Sequence, residues 1–144
     1  MRHNSRTKKG SQYSMKVIWT NGCFDILHRG HIELFKYAKS LGDYLVVGVD
    51  TDERVKASKG SSRPFNVIED RVAMLESIRY IDEIYVFDTT SELDNQVLLS
   101  GAEIIVVGSD YKNKKVIGSR HTQKVIFFDR IRGYSTTKIL VGSQ

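Results

Sequence analysis

From Lys16 onward the chain alternates short runs of β-branched residues with longer stretches of helical periodicity, and this rhythm leaves few folds open. Val17 to Thr20, Tyr44 to Val49, Glu83 to Phe87, Ile104 to Val107 and Val125 to Phe128 read as strands. Most are apolar on both faces, as a buried parallel sheet requires. Between the first two, Ile32, Phe35, Ala38 and Leu41 recur at three-residue steps among charged residues, giving an amphipathic helix closed by Gly42. A second helix is expected to begin near Asn66, with Asn66 and Glu69 as a capping pair and Ile68, Val72, Leu75 and Ile78 as its buried stripe. Residues 91–100 form a weaker third helix, and 111–122 read as neither helix nor strand with any clarity. The expected class is α/β: an open parallel five-stranded sheet with helices on both faces.

At 144 residues the chain has the length of one ordinary domain, and a core of that size holds without disulfides or a structural metal. The single Cys23 excludes a disulfide framework. No apolar run approaches the roughly 20 residues of a membrane span, and residues 1–14 lack the apolar core of a signal peptide. A cytoplasmic enzyme or binding module is the expectation. The net charge of +5 invites a nucleic-acid reading, but Arg2, Arg6, Lys8 and Lys9 precede any acid. Without residues 1–14 the body carries 18 basic against 17 acidic residues. We read 1–14 as a disordered basic leader or an expression remnant, with Met15 a plausible alternative start and 15–144 the folded domain. The body has no net basic face to recommend it to nucleic acid, and its Tyr and Phe residues fall mainly within strand or helix patterns.

In a Rossmann-like sheet of this kind the ligand lies outside the carboxyl ends of the strands, so the residues just after each strand are the informative ones. They are Asn21-Gly22-Cys23-Phe24-Asp25, then Asp50-Thr51-Asp52 with a loop from Lys56 to Arg63, then Gly108-Ser109-Asp110-Tyr111, then Arg130 to Thr137. Gly, His, Lys, Arg, Ser and Thr thus gather on one edge, a composition that suits a polyanion. The sharpest element is His28-Arg29-Gly30-His31, just before the first helix. Two imidazoles three residues apart face the same way and can donate to phosphate oxygens, while Gly30 lets backbone approach. Rival readings are a plain helix cap, a zinc site using Cys23, His28 and His31, and core histidines. The spacing from Cys23 is not a standard zinc pattern.

Gly22-Cys23-Phe24-Asp25-Ile26-Leu27-His28-Arg29-Gly30-His31, followed by Gly133-Tyr134-Ser135-Thr136-Thr137-Lys138-Ile139, closely resembles the cytidylyltransferase-like nucleotidyltransferases. The resemblance covers about residues 15–140. It implies transfer of a nucleoside monophosphate from a nucleoside triphosphate to a phosphorylated small molecule, with release of pyrophosphate. The attacking phosphate is already anionic, so what the protein must supply is in-line positioning and positive charge. By resemblance, His28 and His31 stabilise oxygens of the α-phosphate and leaving group, Lys59 (in a flexible loop) and Arg130 clamp phosphates, and Ser135, Thr136 and Thr137 hold the β and γ phosphates. Asn21, Gly22, Cys23, Phe24, Gly30, Asp110, Gly133 and Tyr134 complete the nucleotide site. Asp25, Arg63 and Arg71 are substrate or supporting residues; taken singly, Arg63 could be a solvated charge and Arg71 a partner of Glu69. Mg2+ is expected to arrive with the triphosphate, and the resemblance suggests a homodimer.

Two subfamilies compete for the substrate. Gly42 to Val47, Thr51-Asp52-Glu53 and Ile78-Arg79-Tyr80 resemble glycerol-3-phosphate cytidylyltransferases, which usually carry Lys near the position of Asp88. Asn21 to Asp25, Lys59-Gly60, Arg63-Pro64, Glu69-Asp70-Arg71 and Gly108 to Tyr111 instead resemble the adenylyltransferase domain of ADP-heptose synthases, with departures at Val107, Ser109 and Tyr134. The second resemblance favours ATP and a heptose 1-phosphate-like sugar over CTP and glycerol 3-phosphate. A noncatalytic nucleotide-binding module is the alternative of another class.

Overall fold

A computed structural model of the chain describes residues 14–129, with the backbone but not the side chain of Asp110. In chain order the elements are β1 (Val17–Gly22), α1 (Arg29–Ser40), β2 (Tyr44–Asp50), α2 (Asp52–Lys59), α3 (Ile68–Glu76), β3 (Glu83–Phe87), α4 (Thr90–Ser100), β4 (Ile104–Gly108) and β5 (Lys124–Phe128). The five strands form one sheet in the order β3-β2-β1-β4-β5, and every pairing is parallel. All five expected strands are present. Three run past their expected ends, so that Asn21, Gly22, Asp50 and Gly108 belong to strands and not to the loops after them.

Strand alternation divides the core in two. Ile18, Leu45, Val47, Ile104 and Val106 face α1 and α3, where Phe35, Ala38 and Leu75 close one layer. Val17, Trp19, Val46, Ile105 and Val107 face the other way onto Leu93 and Val97 of α4. Because both faces are covered, the central strands β1, β2 and β4 are apolar over most of their length.

Chain order reverses between β1 and β4. The β1–β2 ladder runs the whole strand, from Val17–Tyr44 to Gly22–Val49. The β1–β4 ladder holds register only at Ile18–Ile104 and Trp19–Ile105. From Thr20 onward these two strands are unpaired, which opens a crevice at the carboxyl edge where ligands of such sheets bind.

Two expectations fail here for identifiable reasons. A loop is expected from Lys56 to Arg63, but Asp52–Lys59 form α2: the Thr51 hydroxyl caps it by accepting from Arg54 N–H at 3.2 Å, and Asp52 and Glu53 open it while Lys56 and Lys59 close it. Those signs suit the helix dipole. Only Val55 is buried, so the apolar periodicity that reveals a helix in sequence is missing. The second failure is the Asn66–Glu69 cap. The N-cap of α3 is Val67, with no side-chain cap, and the Asn66 amide donates instead to Asp25 O at 2.7 Å. Between β4 and β5 the chain forms short 3-10 turns at Ser109–Tyr111 and Ser119–His121. Asp94 of α4 ties the second turn down, accepting from Arg120 at 2.9 Å and meeting His121 Nε2 at 3.1 Å, and these hydrogen bonds lower the Asp94 pKa to about 2.

Phe35, fully buried beneath the site, tests this layering. Phe35→Ala is expected to cost about 3–5 kcal/mol, read as a lower urea midpoint.

Candidate active site

The turn after β1 carries the site. Phe24 adopts a left-handed backbone (φ 47°), which swings its ring back over Gly22. A Cβ at Gly22 would stand 3.2 Å from that ring, tighter than a side chain tolerates without displacing it. The buried ring packs on Phe35 (centroids 5.2 Å apart) and meets His31 edge-on at 5.5 Å. Phe24 is therefore the floor beneath the histidines. Cys23 is half-buried, and its carbonyl serves as an acceptor in the network described below.

His28 is the N-cap of α1 and His31 lies in its first turn. Gly30 N–H donates to His28 Nδ1 at 3.1 Å, and His28 N–H donates to His31 Nδ1 at 3.2 Å. A backbone N–H can only donate, so each Nδ1 presents a lone pair and each ring carries its proton on Nε2. The rings stack with centroids 3.9 Å apart. The pair thus caps a helix and at the same time holds two N–H donors in parallel. The Gly30 N–H is taken up by this cap.

Asp25 and Arg71 hold the surrounding loops. The Asp25 side chain is fully buried, and accepts from Arg63 Nε at 2.9 Å, Phe65 N–H at 2.8 Å and Asn66 N–H at 2.8 Å. Burial raises its pKa, but the two backbone donors and the Arg63 guanidinium outweigh that and hold the carboxyl below its ordinary value. Arg63 is consequently an internal tether and not a solvated loop charge.

Arg71 is also internal, with a fully buried side chain. Its guanidinium donates to Asn66 O (2.9 Å), Cys23 O (2.9 Å), Asp50 O (2.8 Å) and Asp52 Oδ1 (2.6 Å). The partner suggested by sequence, Glu69, is replaced by Asp52 and three carbonyls. The reason is tertiary: Asp52 begins α2, a helix the sequence does not announce. At the same edge Asp50 pairs with Arg54 at 3.1 Å, and burial still raises its pKa against the pull of Arg54, Arg71 and Lys59. Lys59 is the exposed last residue of α2, and its charge acts on Asp50 at the end of β2. Asn21, the next-to-last residue of β1, lies on the α4 side, its amide oxygen accepting from Trp19 Nε1–H at 2.8 Å.

The structure therefore brings Asn21, Gly22, Cys23, Phe24, Asp25, His28, Gly30, His31, Lys59, Arg63 and Arg71 to one edge. Arg130, Gly133, Tyr134, Ser135, Thr136, Thr137 and the side chain of Asp110 lie outside the described residues. Sequence reasoning missed Asp50, Asp52 and Asn66 as partners of Arg71, and Trp19 as the partner of Asn21. Among the described residues, no three His, Cys, Asp or Glu side chains group as a metal site. The Asp50, Asp25 and Asp52 carboxylates at this edge are paired with Arg54, Arg63 and Arg71 respectively. No helix among the described residues is long and apolar enough to cross a membrane.

Paired imidazoles thus stand at the carboxyl edge of a Rossmann-like sheet, near its switch point, where ligands of such sheets bind. Comparison with known proteins agrees. The cytidylyltransferase-like family profile matches residues 19–140. The bifunctional protein HldE of Campylobacter fetus is 44% identical over 124 residues, 86% of this chain and 27% of that protein. Its namesake from Helicobacter hepaticus is 39% identical over 131 residues, 90% of this chain and 27% of that protein. The chain thus spans about a quarter of the length of the curated relatives it matches. Among solved structures, a lipopolysaccharide core biosynthesis protein from Thermoplasma volcanium superposes with a TM-score of 0.64 at 26% identity, covering 85% of this chain and all of that one. A pantoate-beta-alanine ligase from Francisella tularensis shares the fold at 16% identity, with a TM-score of 0.58, covering 96% of this chain and 72% of that one. The chain belongs to the cytidylyltransferase-like family, and it is a nucleotidyltransferase.

Two outcomes follow from the loop tethers. Arg71→Met leaves three carbonyls and Asp52 without their donor and is expected to cost about 3–5 kcal/mol, measured by urea unfolding. Because the folded pKa of Asp25 is depressed, its stabilisation is complete above the unfolded value of about 4 and is lost as pH falls through the lower folded value. The stability gap between wild type and Asp25→Asn is accordingly wide at pH 7 and narrows at pH 3.

Proposed function

We propose that the chain transfers the AMP moiety of ATP to a phosphorylated sugar of the heptose 1-phosphate type, releasing pyrophosphate. The observation that carries this is the His28–His31 pair, whose Nδ1 atoms are held by backbone N–H groups so that both rings keep their proton on Nε2. Such rings are hydrogen-bond donors to the oxygens of the reacting phosphorus and of the departing pyrophosphate, where charge builds up in the transition state. The acceptor's phosphate is the nucleophile, attacking in line with the bond to the leaving group, so the protein's task is alignment and charge neutralisation rather than proton abstraction. Lys59 reaches the same phosphates from the end of α2. Arg130, Ser135, Thr136 and Thr137 complete the clamp in this reading, and Mg2+ enters as part of the nucleotide substrate.

The choice of ATP and a sugar phosphate is supported by the resemblance of Asn21 to Asp25, Arg63-Pro64 and Glu69-Asp70-Arg71 to ADP-heptose synthases, and by the likeness to the bifunctional HldE proteins. Asp88 supports it too. This acid accepts from the Thr51 hydroxyl at 2.6 Å while its N–H donates to Glu92, so the place where the glycerol phosphate enzymes usually carry a Lys is here a structural junction. A cytoplasmic homodimer is part of the same proposal, and light scattering is expected to give twice the chain mass of 16.4 kDa.

The deciding experiment measures pyrophosphate release from Mg-ATP and from Mg-CTP with heptose 1-phosphate, other sugar 1-phosphates, glycerol 3-phosphate or no acceptor. Release with ATP and a sugar phosphate is expected. Release only with CTP and glycerol 3-phosphate overturns the choice of substrates, and silence with every pair overturns the reading as a whole. The double role of His28 separates its functions. His28→Ala is expected to lose about 1 kcal/mol of cap and about 100- to 1,000-fold in turnover. His28→Asn restores the cap, since Asn is a strong N-cap residue, and not the turnover.

A further inference from the structure

Trp19 is wholly buried, yet its indole N–H points at a residue of the crevice. The ring lies across β2 beneath Gly48, where a Cβ would stand 2.7 Å from the indole Cζ2, and it stacks on Tyr85 of β3 with centroids 6.5 Å apart. That fit fixes Nε1, which donates to the Asn21 side chain at 2.8 Å. An indole N–H has no lone pair, so the atom it meets is the amide oxygen of Asn21 and not its nitrogen. The two amide atoms diverge from one carbon. The Trp19 ring lies over Gly48, which stands directly beside Asn21 in the ladder, so the oxygen is held toward β2 and the NH2 is the amide atom turned away from the indole; among the described residues it has no hydrogen-bond partner.

Asn21 also lies in the stretch of β1 that has parted from β4, since the two strands are paired only at Ile18–Ile104 and Trp19–Ile105. It stands on the α4 side of the sheet, whereas His28 and His31 come from the α1 side. We propose that Trp19 is a positioning residue that locks the Asn21 amide so that its NH2 donates to an oxygen of a substrate bound in the crevice. This deepens the nucleotidyl-transfer reading and rests on it. A phosphate or hydroxyl oxygen of either substrate satisfies the donor, and the experiment distinguishes nucleotide from acceptor.

Trp19 is the chain's single tryptophan, so the full 15N-labelled protein gives one indole N–H signal. Mg-ATP, Mg-CTP, heptose 1-phosphate and glycerol 3-phosphate are titrated separately while that signal and the histidine ring signals are followed. The expected result is a shift of the indole signal with the substrate that Asn21 touches, absent in Asn21→Ala. Histidine signals that move without the indole overturn the proposal and leave the function standing; if neither moves with any probe, both fall. Kinetics supply a second reading through a double-mutant cycle. Trp19→Phe keeps a ring but no donor, and is expected to lower kcat/KM about fivefold in wild type and not at all in the Asn21→Ala background. Additive losses would mean that Trp19 acts through packing alone. Because Trp19→Phe trims the core, rates are compared well below the thermal midpoint of each variant. Asn21→Ala keeps the Trp19 ring but takes the acceptor from its buried N–H, so its fold is checked by the same thermal midpoint before it is used in the spectroscopic arm.

Discussion

One buried guanidinium holds this site together. Arg71 reaches out of α3 to the turn after β1, the end of β2, the start of α2 and the segment before α3, with an acceptor at each. A charge taken out of water is tolerable only when its donors are matched, and here three of the acceptors are backbone carbonyls. The four segments can keep Arg71 satisfied only in one mutual arrangement, so it acts as a gauge as well as a bond. Asp25 does the converse with a buried anion, drawing in Arg63 and two backbone N–H groups. Between them the two charges fix every loop that borders the crevice from the β2 side.

Within that frame the histidine pair removes an apparent choice. A helix cap and a phosphate-binding group look like competing explanations of His28 and His31. In the proposed function the first is the means to the second, because the N–H donors that the cap satisfies decide which ring nitrogen keeps its proton. Phe24 adds a rigid base beneath them. Tautomer, spacing and height are thus set before any ligand arrives, which is the preorganisation that electrostatic catalysis depends on.

The sheet was legible because a two-sided buried strand writes itself into consecutive residues, as in Tyr44 to Val49 and Ile104 to Val107. The His28–His31 element was legible for a similar reason, both residues lying within one turn of a helix. What escaped depended on distant partners. α2 has one buried residue and is specified by its capping hydroxyl and end charges, so no apolar stripe betrays it. Asn66 reads locally as a cap, yet its amide and carbonyl are claimed by Asp25 and Arg71. Trp19 reads as core, and it is core; only the reach of its N–H to Asn21 gives it a second function.

The short ladder between β1 and β4 also bears on how the molecule comes into being. β1, β2 and β3 follow one another in sequence and sit side by side, so that half of the sheet closes through modest loops. β4 must return from beyond α4 to the far side of β1, the longest closure among the sheet's pairings and the one with the fewest rungs to reward it. The β1–β4 seam is therefore the pairing with the greatest loop-closure cost and the fewest backbone hydrogen bonds to offset it, which makes it the part of the sheet most dependent on the packing around it.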